Sequence, residues 1–223
     1  MKTKELSRLI LLLGLGFGTS VTQAADGWRE MLNKSGIVLS QRALPGKTYQ
    51  QIQGQMIVNG RIDSLVGILN NPQLCSKWLN GCLSSSVVSQ LSPAERINYT
   101  VVDAPLLFED RDMYVRSKAS YDSHSKAVTI TLQGVDNYGA AQGKRVRVKS
   151  LNGFWRFQQQ NDQQVKVNYQ MYSDPQITPV SAVDSFSPES LFKTFSNLRK
   201  LVNSPALRNV RFKPGELEAI TVR

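Results

Sequence analysis

The chain contains one histidine, His124, set in Asp122-Ser123-His124-Ser125. A Ser-His-Asp or Cys-His relay would need that single imidazole inside a pocket, and its neighbours read instead as a solvated turn. There is no Gly-x-Ser-x-Gly, no phosphate-cradling glycine loop and no zinc-ligand spacing in the sequence. Glu109, Asp110 and Asp112 cluster ahead of a strand. They read as turn and surface acids facing Arg111, or alternatively as a paired acid and base. The other reactive pair is Cys75 and Cys82, in Cys-Ser-Lys-Trp-Leu-Asn-Gly-Cys. In an oxidising compartment so close a pair reads as a disulfide. Residues seven apart on one helix would be about 10 Å apart, whereas a bridge needs Cα atoms within about 7 Å. The helix must therefore end between them, and Asn80-Gly81 is the natural place. The alternative is two buried thiols. No further Cys or His completes a metal shell, so the sequence predicts no catalytic set, no metal and no cofactor.

The elements that would position these residues are mostly strands. Trp28 to Asn33 suits a short helix with Asp26 as its cap. Ile37 to Arg42 and Tyr49 to Val58 read as strands, the second with Ile52, Gly54, Met56 and Val58 on one face. Ile62, Leu65, Val66 and Leu69 recur at helical spacing, and Pro72 opens a second short helix carrying Leu74 and Trp78. Strands follow at Val87–Leu91, Arg96–Asp103, Asp110–Tyr121, Val128–Leu132, Arg145–Phe157 and Gln163–Tyr172. Most alternate apolar and polar residues, as an antiparallel sheet wet on one side requires. Ser187-Pro188-Glu189 reads as a helix start, and Leu191, Phe192, Phe195, Leu198, Leu201 and Val202 form its apolar stripe. The tail from residue 205 to Arg223 looks loosely structured.

The first residues form a secretory signal: Lys2, Lys4 and Arg8, then an apolar run from Leu9 to about Gly18, then Thr22-Gln23-Ala24. The run is too short for a membrane span, which needs about 20 apolar residues. The domain reading is a cleaved signal over residues 1–24, one domain over 25–204 and a tail over 205–223. Residues 1–24 carry Lys2, Lys4, Arg8 and Glu5, net +2, so the formal +10 of the chain falls to +8 after cleavage. That charge serves solubility or attraction to an anionic membrane surface. An exported protein rarely meets nucleic acid, so no nucleic-acid partner is expected.

From Gly27 to Val202 the chain resembles the START domains, the lipid-binding helix-grip family related to steroidogenic acute regulatory protein. The carriers are Trp28 ahead of Lys34-Ser35-Gly36-Ile37-Val38-Leu39, then Trp78, Pro105 before Arg111-Asp112, Gly153-Phe154-Trp155, Asp174-Pro175 and Pro179. Their order and spacing carry the resemblance. Gln176 stands where the family often has glycine. The buried Arg–acid pair of many members is not carried over, because alternation puts both Arg116 and Arg147 on a polar face.

The resemblance implies an α+β helix-grip fold, a curved antiparallel sheet around a long C-terminal helix, with two short helices after the second strand. It also implies a monomeric, non-enzymatic protein that holds one lipid or other hydrophobic molecule between sheet and helix, and the export signal with the close cysteine pair suits a bacterial periplasmic branch of the family. Alternation then gives the candidate lining: Met56, Met113, Val115, Ile130, Leu132, Val146, Val148, Val167, Tyr169 and Met171, with Phe192 and Phe195 from the helix. Tyr99 and Tyr169 could orient a head group. The closing helix would act as the gate. Two other readings stay open: a helix-grip cyclase or hydrolase using Tyr99 with Asp103 or Asp112, and a module that binds an envelope protein.

Overall fold

The computed structural model describes residues 27–104, 108–139 and 143–221. The signal at 1–24, Asp26 and Pro105 lie outside the described residues. Three strands open the fold: β1 (Arg29–Lys34), β2 (Ile37–Arg42) and β3 (Gln51–Asn59). The helix expected over Trp28–Asn33 is thus a strand, and the turn explains why. Ser35 and Gly36 take φ of 52° and 69°, the two left-handed residues of a tight hairpin, and they set Lys34 opposite Ile37.

The short helices consequently follow the third strand rather than the second. They are α1 (Ile62–Asn70), a 3₁₀ turn (Pro72–Leu74) and α2 (Cys75–Trp78). β4 (Cys82–Ser92), β5 (Glu95–Val102), β6 (Arg111–Asp122) and β7 (Ala127–Gly134) come next. The strand expected over Arg145–Phe157 is two, β8 (Val146–Arg147) and β9 (Leu151–Asn161). Val146 and Val148 donate to the Asp110 and Asp112 carbonyls, in a parallel pairing with β6, whereas β9 runs antiparallel to β7 and β10. The chain must turn between these two ladders.

β10 (Gln164–Ser173) leads to α3 (Val180–Val202). α3 begins upstream of the expected Ser187-Pro188-Glu189 start, and Pro188 stands inside it. Pro188 lacks the N–H that would reach the Asp184 carbonyl, and in that turn the Ser187 hydroxyl donates to the Val183 carbonyl at 2.8 Å.

The strands form one sheet in the order β1-β2-β3-β10-β9-β7-β6-β5-β4, with β8 beside β6. Its inner face is the apolar face that alternation predicts for β3, β7 and β10. Met56, Val58, Val128, Ile130, Val165 and Val167 are all buried. Leu191, Phe195, Leu198 and Val202 of α3, one helical stripe, close over them. The helix comes down on β3 because residue 54 has no side chain: a Cβ there would lie 2.4 Å from the Phe195 ring.

Cys75 and Cys82 form the disulfide, with Cα atoms 5.9 Å apart. α2 ends at Trp78, and Gly81, at φ 80°, turns the chain back. The bridge closes a short loop, worth about 2.5 kcal/mol in the chain-entropy treatment. A Cys75→Ser, Cys82→Ser double variant is expected to lose about that much stability in urea unfolding; an unchanged midpoint would contradict this.

The loop before α3 is held by side chains. Arg111, almost fully buried, donates to the carbonyls of Pro175 at 2.8 Å, Gln176 at 3.0 Å and Glu109. Gln176 adopts φ 53°, a conformation that costs a non-glycine residue about 1 kcal/mol or more. Its N–H donates to Asp174 Oδ1 at 2.9 Å and its side-chain amide to the Arg147 carbonyl at 2.5 Å. Those bonds hold in place what glycine would adopt freely. The tail packs more than its composition indicates. Leu207, Phe212, Leu217 and Ile220 lie against the core, the Leu207 carbonyl accepts from Ser64 Oγ at 2.7 Å, and Thr221 bridges Tyr121.

Candidate functional site

Residues opposite each other in a ladder share a face of the sheet, so the register fixes what points inward. Met113 and Val115 of β6 face in. Opposite them on β5 are Thr100 and Asn98, and Arg96 lies opposite Ser117. β5 therefore presents its polar residues to the inside, the reverse of the reading that put Tyr99 there. A one-residue change of phase flips every side chain of a strand. Ile97 and Val101 are buried on the other face.

From β5 inward the rows continue. Ser117 is opposite Leu132, which is opposite Gly153, which is opposite Met171; Ile130 is opposite Trp155, which is opposite Tyr169. Over these rows lies a cavity of about 280 Å³, close to the lower end of the range of about 300–1,000 Å³ for small-molecule sites. α2 and the disulfide loop roof it with Cys75, Trp78 and Leu79, and α3 contributes Leu191 and Thr194. The roof is pinned to α3: Asn80 N donates to Thr194 Oγ1 and Asn80 Nδ2 to Ser190 Oγ, both at 3.1 Å.

Of the expected lining, Met113, Val115, Ile130, Leu132, Tyr169 and Met171 come together here. Met56, Val167 and Phe195 do not; they belong to the solid core. α3 packs on β2, β3 and α1, so its large side chains fill the β3 side of the interior and leave space only towards β5–β7. Phe192 is half-buried at the rim of that core, with Lys34 Nζ 5.4 Å from its ring centre. Val146 and Val148 sit at the β6–β8 junction, outside the cavity wall. Sequence reasoning missed Trp155, Arg96, Asn98, Thr100 and Ser117. Gly153-Phe154-Trp155 was visible as a motif, but β5's contribution required its pairing with β6.

Among the described residues that line the cavity there is no aspartate or glutamate, and Arg96 alone carries a charge. Arg96 donates to the main-chain carbonyls of Asn70 at 2.8 Å and Leu69 at 3.0 Å. It thereby caps the C-terminal end of α1, where cations are favoured. Its Nε and the Asn98 Oδ1 are buried without a hydrogen-bond partner. Burial lowers the Arg96 pKa from its ordinary value, yet a guanidinium stays protonated at any physiological pH. Deep burial likewise pushes the Tyr169 hydroxyl well up, so it serves as a neutral donor or acceptor. Trp155 centres an aromatic cluster with Trp78, Phe157, Tyr169 and Phe195.

Tyr99 and Asp112 lie on the opposite face of the sheet. Asp112, fully buried, accepts from Arg147 Nε at 2.7 Å, from a second Arg147 nitrogen at 3.0 Å and from the Tyr99 hydroxyl at 3.0 Å. Burial and then this bond push the Tyr99 hydroxyl up. Arg147 also lies over the Tyr114 ring, 4.8 Å from its centre. The group is an ion-pair network facing away from the cavity. Asp103 is exposed, and its N–H donates to the Gly81 carbonyl. His124 lies in an exposed turn closed by Asp122, whose carboxyl is held below its usual range chiefly by the Ser125 hydroxyl.

No protein-family model and no curated protein matches the chain. Solved structures do. The STAR-related lipid transfer protein fragment from Xanthomonas axonopodis aligns with a TM-score of 0.73 at 21% identity, over 80% of this chain and 100% of that one. Human StAR-related lipid transfer protein 5 aligns at 0.71 and 17% identity, over 80% and 87%. The chain therefore has the START helix-grip fold.

Proposed function

We propose that this protein binds a single hydrophobic molecule, of lipid character, in the cavity beneath α2 and the middle of α3, and carries or senses it without chemical change. The observation that carries this reading is the cavity itself. Its wall of Met113, Val115, Leu132, Trp155 and Met171 is apolar, and α3, which packs on β2 and β3, leaves it open towards β5–β7. Burial of a ligand there would gain about 25 cal/mol per Å² of apolar surface. The Xanthomonas and human proteins of the same fold carry lipid transfer in their names. The suspected catalytic set speaks against an enzyme, because Asp112 is engaged by Arg147 and Tyr99 on the far side of the sheet.

The setting we propose is the periplasm. The signal pattern in residues 1–24 and the Cys75–Cys82 bridge both support it. The chain would act there as a monomer, its +8 mature charge favouring brief contact with an anionic leaflet. Sequencing the N-terminus of protein from a periplasmic extract should begin at Ala25; an intact Met1 in the cytosolic fraction would refute export.

Native mass spectrometry of gently purified protein should show one apolar molecule per chain. Leu132→Trp, which fills the cavity, should remove it while leaving the fold intact by circular dichroism. If no molecule copurifies and a panel of single-chain and two-chain lipids also fails to bind, the reading is wrong. Entry requires the roof to move. The disulfide loop and α3 are joined through Asn80, so the roof comprises both rather than the closing helix alone.

A further inference from the structure

We infer that the ligand is an anionic amphiphile, a single apolar chain ending in a carboxylate or phosphate, whose head group is held by Arg96 at the mouth of the cavity. The inference rests on the binding reading above and adds the chemical class of the ligand. Three observations carry it. First, Arg96 is the one charged side chain among the described lining residues, in a wall with no acid to neutralise it, and among the described residues no carboxylate makes an ion pair with it. Its two engaged nitrogens meet the carbonyls at the end of α1, which offer hydrogen bonds and a partial negative charge but no counter-ion. Its Nε is buried without a partner, and so is the neighbouring Asn98 Oδ1. A buried guanidinium with an unused donor is costly unless an anion completes it. A phosphate that keeps one proton, or a hydroxyl beside a carboxylate, would satisfy Asn98 as well.

Second, a cleft of about 480 Å³ under the C-terminal tail shares Asn70, Arg96, Ser117 and Ile130 with the apolar cavity. Arg96 thus stands at the boundary between an apolar chamber and a more polar one, where an amphiphile changes character. Third, the charges of that outer cleft are uneven. Asp63 pairs with Arg61 and Glu95 with Arg116, which leaves Glu216, bonded only to the neutral Lys213 N–H, as the one lining acid without a cation among the described residues, against Arg96 and two further bases. Arg211 and Lys213 of the tail also line it. The field at the mouth therefore favours an anion, and Arg96 can offer a carboxylate or phosphate oxygen a charge-assisted bond. At about 280 Å³ the chamber suits one chain.

Trp78 and Trp155 line the cavity and supply the readout. The probes are decanoate, decyl phosphate and decanol, titrated into delipidated full-length mature protein and followed by tryptophan fluorescence. At least one of the two anions should bind ten times more tightly than decanol, and which of them does so distinguishes a carboxylate from a phosphate ligand. Arg96→Met should abolish that preference, so that the anions bind no more tightly than decanol. Equal affinity of all three probes for the wild-type protein would overturn the anionic assignment and leave the hydrophobic-ligand reading standing. Binding of none, nor of longer-chain homologues, would overturn both. The wild-type comparison decides the matter even if the variant fails to fold.

Discussion

Replacing Asp112 with alanine should lower the unfolding free energy by about 3 kcal/mol. At a urea slope of about 2 kcal/mol per M, the midpoint would fall by about 1.5 M. The carboxylate is fully buried, and its removal takes the ion-pair acceptor from the Arg147 guanidinium and the hydrogen-bond acceptor from the Tyr99 hydroxyl together. The value sits at the lower end for a broken buried pair because the Arg147 side chain keeps 15% of its surface exposed and can recover some hydration. Removing both charges, with Asp112→Leu and Arg147→Met, should cost less than Asp112→Ala alone, since the buried guanidinium goes with its carboxylate. Ligand affinity of the folded Asp112→Ala variant should stay near wild type, because this network faces away from the cavity. A loss of binding, or loss of a turnover activity with stability unchanged, would favour the catalytic reading instead.

Gly153→Ala should be nearly as damaging, at about 2–3 kcal/mol. A Cβ at residue 153 would lie 2.2 Å from the Gln170 carbonyl oxygen and 2.9 Å from the Met171 Cα. These are main-chain atoms of the paired strand, so relief requires β9 and β10 to separate. That displacement would also move Trp155 and Met171 in the cavity wall. The same change at Gly67, inside α1, should be neutral or stabilising: its tightest contact is a Val210 methyl at 3.3 Å, and alanine gains about 1 kcal/mol of helix propensity. Thermal unfolding of the two variants side by side checks the contrast. A stable Gly153→Ala would mean that the two strands approach less closely than described.

Much of the fold was legible because the signals were local. Gln51–Val58, Val128–Leu132 and Gln163–Tyr172 alternate cleanly, each with an all-apolar inner face. The α3 stripe from Leu191 to Val202 is unambiguous. The errors lie where a local signal competed with a distant partner. Trp28–Asn33 has no strong alternation, and only the two-residue Ser35-Gly36 turn marks it as half of a hairpin. Pro188 looks like a helix start in isolation but stands within α3. Gly153 reads only as part of the Gly153-Phe154-Trp155 motif, and Gly54 as an ordinary glycine in sequence. Their reason is a neighbour's backbone in one case and the Phe195 ring in the other.

The candidate site divides the same way. Six lining residues on β6, β7 and β10 follow from alternation alone. β5 does not, because its own pattern of Ile97, Tyr99 and Val101 points the apolar face outward. Pairing with β6 decides the matter, placing Met113 and Val115 inside and so Asn98 and Thr100 with them. The composition and residue spacing carry a single histidine, no nucleophile motif, two cysteines spaced for a bridge, and one apolar face on most strands. Those are properties of residue types and their period, which the chain carries before it folds. Tertiary structure alone decided where the space lies, which residues it exposes, and that Arg96 stands at its mouth with an unfilled donor. Cavity and charge placement depend on what packs across from a residue, and that partner is far away in sequence.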